Sequence, residues 1–488
     1  MTISTQPNIL LIMADQLVPF LTGAYGHPVV QTPHLDRLAA EGIRFDAAYT
    51  PYPLCAPARV AFMTGRYASG MGCFDNAALF PADQPTLAHY LTNAGYETVL
   101  SGKMHFIGPD QLHGFGRRLT TDVFPANIKW VPVPDESGQG GHAHNYVPPS
   151  VGVRPWSKFL AFDEETHFRA LEYIRQRAYS RPESPFFLVA SYHHPHDPFH
   201  VTQELWDLYE GQRIAVPDLP ENLDESYSEM DRWVNEVHGV DQVNLRDPDN
   251  LRALRRAYYG LVSYVDRKVG ELVAALAQSG QHNTIVIFTA DHGDMLGEKG
   301  MVQKRCYYEW SVRVPLIFRF PDATIAAPGR RLAAPVSLLD LLPTLLDLAG
   351  VGANRLAVDG RSLAPLLAGA EEPARTIFSE YHVEKVKAPS FMVRRGKYKY
   401  IYVHGYGSQL FDLAADPGEW HNLSGRSALA ALEEALRNLI LSQFDPEQLA
   451  AAGAESVQRR LVIKEALARN GVHWDYFPYF DASRQYVR

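Results

Sequence analysis

The chain has 488 residues and a formal net charge of -9, in an otherwise ordinary soluble composition. That length supports a large core and more than one structural part, and the acidic balance excludes a polybasic nucleic-acid or membrane-surface binder. Cys55, Cys73 and Cys306 are too few for a disulfide framework, and no run of ~18 apolar residues marks a transmembrane helix.

The start, Met1 to Pro7, carries no charged or apolar leader, which points to a cytoplasmic protein. Residues 8–14 are a continuous apolar run and read as a parallel strand buried on both faces, ending at Asp15-Gln16. The pattern predicts a short amphipathic helix over 33–42, with Leu35, Leu38 and Ala39 inward, and another over 86–95. A strand over 97–100 ends in Ser101-Gly102-Lys103-Met104-His105. Residues 106–160, rich in Gly, Pro, His and Trp without a period, read as a long active-site loop. A helix over 164–179 precedes a strand over 186–191 that ends in Tyr192-His193-His194-Pro195-His196-Asp197-Pro198. Residues 200–247 read as an irregular acidic surface, and 251–277 as a long helix. A second clear buried strand, 284–290, ends in Asp291-His292-Gly293-Asp294; a strand over 314–320 and a helix over 337–350 follow. The alternation predicts an α/β fold, a large mostly parallel sheet sandwiched by helices, over residues 1–375. Short antiparallel strands over 390–402 and 409–413 and a helix over 428–444 predict a smaller α+β part, 376–445. The tail, 446–488, is basic at Arg459-Arg460 and ends in aromatics from Trp474 to Phe480, so it should dock, in oligomer contacts.

Cys55-Ala56-Pro57-Ala58-Arg59 stands out. Pro57 suits a helix's first turn, and Arg59 lies one turn beyond Cys55. The sulfur would then sit at a helix N-terminus beside a guanidinium, a place for an activated nucleophile or an anion. A cysteine at a helix start is, taken alone, more often a small buried hydrophobe. Asp15, and Asp291 with His292, are strand-end groups that suit an oxygen-preferring divalent metal, or that cap the turns that follow.

The Cys-x-Pro-x-Arg pentapeptide resembles the signature of the type I sulfatases of the alkaline phosphatase superfamily. The resemblance implies that Cys55 is oxidised after translation to formylglycine, by a formylglycine-generating enzyme that is a transient partner. It implies Asp15, Asp291, His292 and the modified Cys55 as ligands of a divalent metal, Ca2+ first, with Mg2+ or Mn2+ as alternatives. Gln16 stands where many members have a second Asp. Lys103 and His105 resemble the family's Lys-x-His, Lys304 its second sulfate-binding lysine, and His196 the histidine that protonates the leaving oxygen, with His193 and His194 close by. In the implied mechanism the hydrated aldehyde attacks sulfur, Arg59 holds that hydrate, and His105 takes a proton as sulfate leaves.

Phe74-Asp75-Asn76, Trp130, Glu384, the segment from Met392 to Tyr400 and the tail through Arg488 look like the choline-sulfatase branch. That resemblance implies Asn76, Trp130, His144 and Glu384 as substrate-binding residues, choline-O-sulfate as substrate, and a homo-oligomer, a dimer or tetramer. A quaternary ammonium needs aromatic faces and a carboxylate without a competing cation, and Lys385 stands beside Glu384 where a small residue would be expected. The rival substrates are an aryl sulfate or a phosphonate monoester. The rival from another class is a non-catalytic binder of sulfated ligands.

Overall fold

A computed structural model describes residues 6–128, 142–180, 183–321, 328–351 and 356–479. Its framework is an eight-stranded sheet. In chain order the strands are β1 (Asn8–Asp15), β2 (Ile43–Phe45), β3 (Glu97–Gly102), β4 (Arg117–Arg118), β5 (Phe186–Pro195), β6 (Thr284–Ala290), β7 (Leu316–Arg319) and β8 (Arg330–Leu332). In space they run β8-β2-β7-β6-β1-β5-β3-β4. β1 is central and parallel to both neighbours, with Leu10 opposite Leu188 of β5 and Val286 of β6. β7 runs against β6 and β2, while the other pairs are parallel. Residues 9–14 of β1 and 285–288 of β6 are fully buried, as a parallel strand covered on both faces requires.

The longer helices are α1 (Pro33–Glu41), α2 (Cys55–Thr64), α3 (Leu87–Asn93), α4 (Lys158–Ser180), α5 (Glu229–His238), α6 (Pro248–Gln278), α7 (Leu341–Leu348), α8 (Ala430–Gln443) and α9 (Pro446–Asn470). α4 and α6 pack against β5, and α2 packs against α3 and α7. Among the described residues no helix is long and apolar enough to cross a membrane.

A separate antiparallel sheet follows, β9 (Thr376–Tyr381), β10 (Ser390–Arg395), β11 (Tyr398–Val403) and β12 (Gly407–Asp412), with α8 against β10 and β11.

Three stretches differ from the expectation. The strand expected over 314–320 is broken at Pro315: Arg313 and Val314 pair with Tyr49 and Ala48, and β7 begins at Leu316. Residues 200–247 hold α5, opened by a capping box between Ser228 and Asp231 and burying Met230, Trp233 and Val234. Glu229 and Glu236 face outward while Asp231 is buried in the cap, and the acidic composition hid an inward apolar stripe. The tail begins with a helix, α9, because Asp445 caps it by accepting from the Gln448 N–H, Pro446 opens it, and Gly471 closes it at φ 63°. Beyond α9, Trp474 N–H donates to Asn127 Oδ1 (2.8 Å) and Ala126 N–H donates to Asp475 Oδ1 (2.9 Å), so this stretch lies on its own chain.

Candidate active site

The carboxyl ends of β1, β3, β5 and β6 meet the N-terminus of α2, the end of a parallel sheet at which ligands bind. β1 ends at Asp15, β3 leads into Lys103, β5 into His196 and β6 into Asp291 and His292. Residues hundreds of positions apart therefore converge.

Asp15, Cys55, Asp291 and His292, all buried, each offer a ligand atom, and these atoms lie within 4.8 Å of one another. The Cys55 sulfur is 3.2 Å from His292 Nε2 and 3.8 Å from Asp15 Oδ1. His292 Nδ1–H donates to the Gly293 carbonyl (3.0 Å), which leaves the lone pair of Nε2 for the cluster. Two carboxylates, an imidazole and the residue-55 side chain fit an oxygen-preferring divalent cation. Burial and the Cys55 charge push the Asp15 carboxyl up, but Lys103, His196 and Arg59 outweigh them and hold it below its usual value. Burial likewise pushes the Cys55 thiol up, and Lys103, Lys304 and His292 overcome that, holding it well below the ordinary thiol range.

Arg59 is fully buried, and its donors go to the cluster's own supports. Nε donates to Asp291 Oδ2 (2.9 Å), and the terminal nitrogens donate to Asp15 Oδ2 (3.4 Å), Ser191 Oγ (2.8 Å) and the Lys103 carbonyl (2.5 Å). Arg59, one turn deeper in α2 than Cys55, thus fixes the two carboxylates. Lys103 pairs with Asp15 and lies 4.5 Å from the Phe124 ring centre. The His105 ring stacks on Phe124 (4.8 Å), and its Nδ1 is buried with no hydrogen-bond partner among the described residues. The backbone here is held at φ 55°, with the N–H groups of Met104 and His105 both donating to Asp122 Oδ2 (2.9 Å each).

The three neighbouring histidines separate. His194 Nδ1 is 2.6 Å from Asp163, which also accepts the backbone N–H groups of His193 and His194. The His193 ring stacks on Phe159 (4.3 Å), and burial holds it well below its usual pKa. His196 alone of the three contacts Lys304, Nε2 to Nζ 2.9 Å, while its Nδ1–H donates to the Asp197 carbonyl (2.8 Å). Gln16 is turned the same way. Its Oε1 accepts from Lys304, and its amide nitrogen donates to Tyr146 (3.0 Å) and to Asp294.

Asn76 Oδ1 accepts from the Ala56 N–H (3.0 Å), tying it to the first turn of α2. Its own backbone N–H donates to Glu384 Oε2 (3.2 Å). Glu384 Oε1 accepts twice from Arg305, from Nε (3.2 Å) and from a terminal nitrogen (2.7 Å). Trp130 lies outside the described residues. His144 is exposed, 3.4 Å from Gln242 Oε1. In the short 3-10 turn His142–Tyr146, Ala143 and Tyr146 are buried, and the half-buried His142 feels Lys385, Arg305, Lys304 and His196.

A sequence model of the Sulfatase family matches residues 7–351. The chain belongs to the sulfatase family. A second model, of the N-sulphoglucosamine sulphohydrolase C-terminal part, matches residues 297–445. This sulfatase is 40% identical to the choline-sulfatase of Rhizobium meliloti (strain 1021), over 99% of this chain and 96% of that protein. It is 29% identical to an arylsulfatase of Clostridium perfringens, over 90% and 95%. Among solved structures it resembles a phosphonate monoester hydrolase from Silicibacter pomeroyi, with a TM-score of 0.72, 24% identity and coverage of 90% and 95%. It also resembles a 2-O GAG sulfatase, with a TM-score of 0.68, 26% identity and coverage of 98% and 96%.

Several residues of the sulfatase site carried little signal in the sequence. Asp122 and Phe124 lie in an aperiodic loop, and Tyr146 is one of 25 tyrosines, so nothing local distinguished it. Arg305 directly follows Lys304, and Asp294 closes the Asp-His-Gly-Asp run, so adjacency to a motif residue was the signal for both. The buried ion pair of Asp75 with Arg460, both bonds 2.6 Å, spans 385 positions and could not be read locally.

Proposed function

We propose that this sulfatase hydrolyses a small sulfate monoester, with an aldehyde made from Cys55 and a divalent cation as its reactive groups. The observation that carries the reading is the convergence of the Asp15, Cys55, Asp291 and His292 donors within 4.8 Å of one another. Asp15, Asp291, His292 and residue 55 would hold the cation, with Ca2+ as the first choice and Mg2+ or Mn2+ as alternatives. When both groups are in place they supply an acidified hydroxyl on residue 55 as the nucleophile toward sulfur.

The chain's own residues do the rest. Lys103 and Lys304 bind the sulfate oxygens and neutralise the charge that grows on them. His196 gives the proton of Nε2 to the bridging oxygen as the alcohol leaves. The Asp197 carbonyl keeps the other ring proton on Nδ1 and fixes the ring. His105, stacked on Phe124, takes up a proton as sulfate departs. Arg59 keeps Asp15 and Asp291 in place. A formylglycine-generating enzyme is the transient partner. A dimer or tetramer completes the reading, supported by the exposed Phe477 and Tyr479 at the end of the described tail.

Choline-O-sulfate is the ester to test first, because the choline-sulfatase of Rhizobium meliloti is similar over nearly the whole chain. Similarity to an arylsulfatase and to a phosphonate monoester hydrolase supports the two rival substrates. The test is protein made together with the formylglycine-generating enzyme, its residue 55 identified by mass spectrometry, assayed on choline-O-sulfate, 4-nitrophenyl sulfate and a phosphonate monoester. Turnover of a sulfate ester with an aldehyde or its hydrate at position 55 is expected. An intact thiol in an active preparation overturns the mechanism, and a modified but inactive protein leaves the non-catalytic binder.

A further inference from the structure

Lys385 lies between β9 and β10, directly after Glu384, at φ 63°. That left-handed conformation disfavours a long side chain, yet the turn is held there. The Tyr381 hydroxyl donates to the Glu384 carbonyl (2.8 Å), and the Glu384 N–H donates to the His382 carbonyl (2.7 Å). Lys385 is half-buried, and its ammonium has no hydrogen-bond partner among the described residues. The charged and titratable groups near it are Arg305 and Lys304 from the segment after β6, Asp197 from the end of β5, its neighbour Glu384, and His142 and His238. Burial, with Arg305 beside it, lowers its pKa to about 7.

Glu384 does not answer this ammonium. Both of its oxygens are engaged, Oε1 by Arg305 and Oε2 by the Asn76 N–H. A quaternary ammonium entering here would meet a carboxylate already neutralised by a guanidinium, with a second cation alongside. A half-buried ammonium without a protein acceptor leaves its donors for water or for an anionic ligand.

Resting on the sulfatase reading above, we infer that Lys385, beside an Arg305-neutralised Glu384, is a specificity-determining residue that binds an anionic group on the alcohol part of the ester. The substrate class is then sulfate esters of carboxylate-bearing alcohols, such as small hydroxy acids. Lys304 serves the sulfate end and Lys385 the far end, so a dianionic ester is held at both ends and its reacting sulfur is oriented.

The test uses full-length protein with residue 55 confirmed as modified. Three esters of similar size are compared: 3-(sulfooxy)propanoate, propyl sulfate and choline-O-sulfate. The wild type should rank them in that order by kcat/KM. K385G, which suits the left-handed turn, should lower kcat/KM for the carboxylate ester by roughly tenfold to a hundredfold, as for a lost charged hydrogen bond, and raise it for choline-O-sulfate. K385R should keep the wild-type order. Choline-O-sulfate ranking first in the wild type, or K385G moving all three esters alike, overturns the inference and leaves the sulfatase reading standing. Failure of modified protein on all three esters and on 4-nitrophenyl sulfate overturns the sulfatase reading itself, and this inference with it.

Discussion

Arg460→Met tests how the C-terminal helix is tied to the site. Arg460 of α9 and Asp75 form a two-bond ion pair, each bond 2.6 Å, with side chains 4% and 0% exposed. Asp75 directly precedes Asn76, which holds the first turn of α2. Methionine keeps the stem of the arginine but leaves the carboxylate buried with the Ala77 N–H as its remaining donor (2.8 Å). Breaking a buried pair from one side costs about 3–5 kcal/mol. At ~1.4 kcal/mol per tenfold, opening of α9 becomes roughly a hundredfold or more easier. Native-state hydrogen exchange of the amides in 446–470 reads this directly. Adding Asp75→Asn should recover part of the loss, a coupling that a double-mutant cycle quantifies. The pH dependence has a definite sign. Burial raises the Asp75 carboxyl even with Arg460 present, and without Arg460 it rises further. A carboxyl raised in the folded state binds a proton that the unfolded chain does not, so stability falls as pH rises through the folded pKa. The variant should therefore be less impaired at about pH 5 than at about pH 8. Exchange that accelerates less than about threefold, some 0.6 kcal/mol, would refute the assignment of this pair as the anchor.

Cys55→Ala has no heteroatom from which the aldehyde could form, and should lower turnover by roughly a thousandfold or more while leaving the melting temperature near that of the wild type; near-normal turnover would sink the proposed nucleophile. Dialysis against a chelator should abolish activity and lower the melting temperature, since a ligand at a hundredfold excess over Kd contributes about 2.7 kcal/mol. Restored Ca2+ should reverse both, and an unchanged melting curve with full activity would argue against a metal. Lys385 is charged below about pH 7 and loses its proton above it. Glu384 lies below its usual pKa and Arg305 above its own, so neither changes charge in that window. KM for 3-(sulfooxy)propanoate should therefore rise as pH passes upward through about 7, and a flat profile would remove Lys385 from the subsite.

Much of the framework was legible in the chain. The apolar runs at residues 8–14 and 284–290 became the central parallel strands because a strand covered on both faces has nowhere to put a polar side chain. Their acidic ends, Asp15 and Asp291, marked the ligand-binding edge for the same reason: the first polar residue after such a run sits where the sheet meets solvent or a site. The Cys55 pentapeptide was readable as a helix start, since proline position and the spacing of Cys55 and Arg59 are local facts. The helices α5 and α9 were also written locally, in a capping box and in an Asp-Pro start with a Gly stop, under a composition that pointed to surface and tail.

The partners were not legible. Sequence left three histidines open, and the structure separates them by giving Asp163 to His194, Phe159 to His193 and Lys304 to His196. It directed Arg59 onto Asp15 and Asp291, set His144 against Gln242, and neutralised Glu384 with Arg305. Each of these depends on register and loop path across hundreds of residues. Local propensity and spacing determine which elements form and which residues stand at their ends. Which charge meets which, and therefore what the pocket accepts, is decided only when β1, β3, β5 and β6 are aligned and the loops close over them.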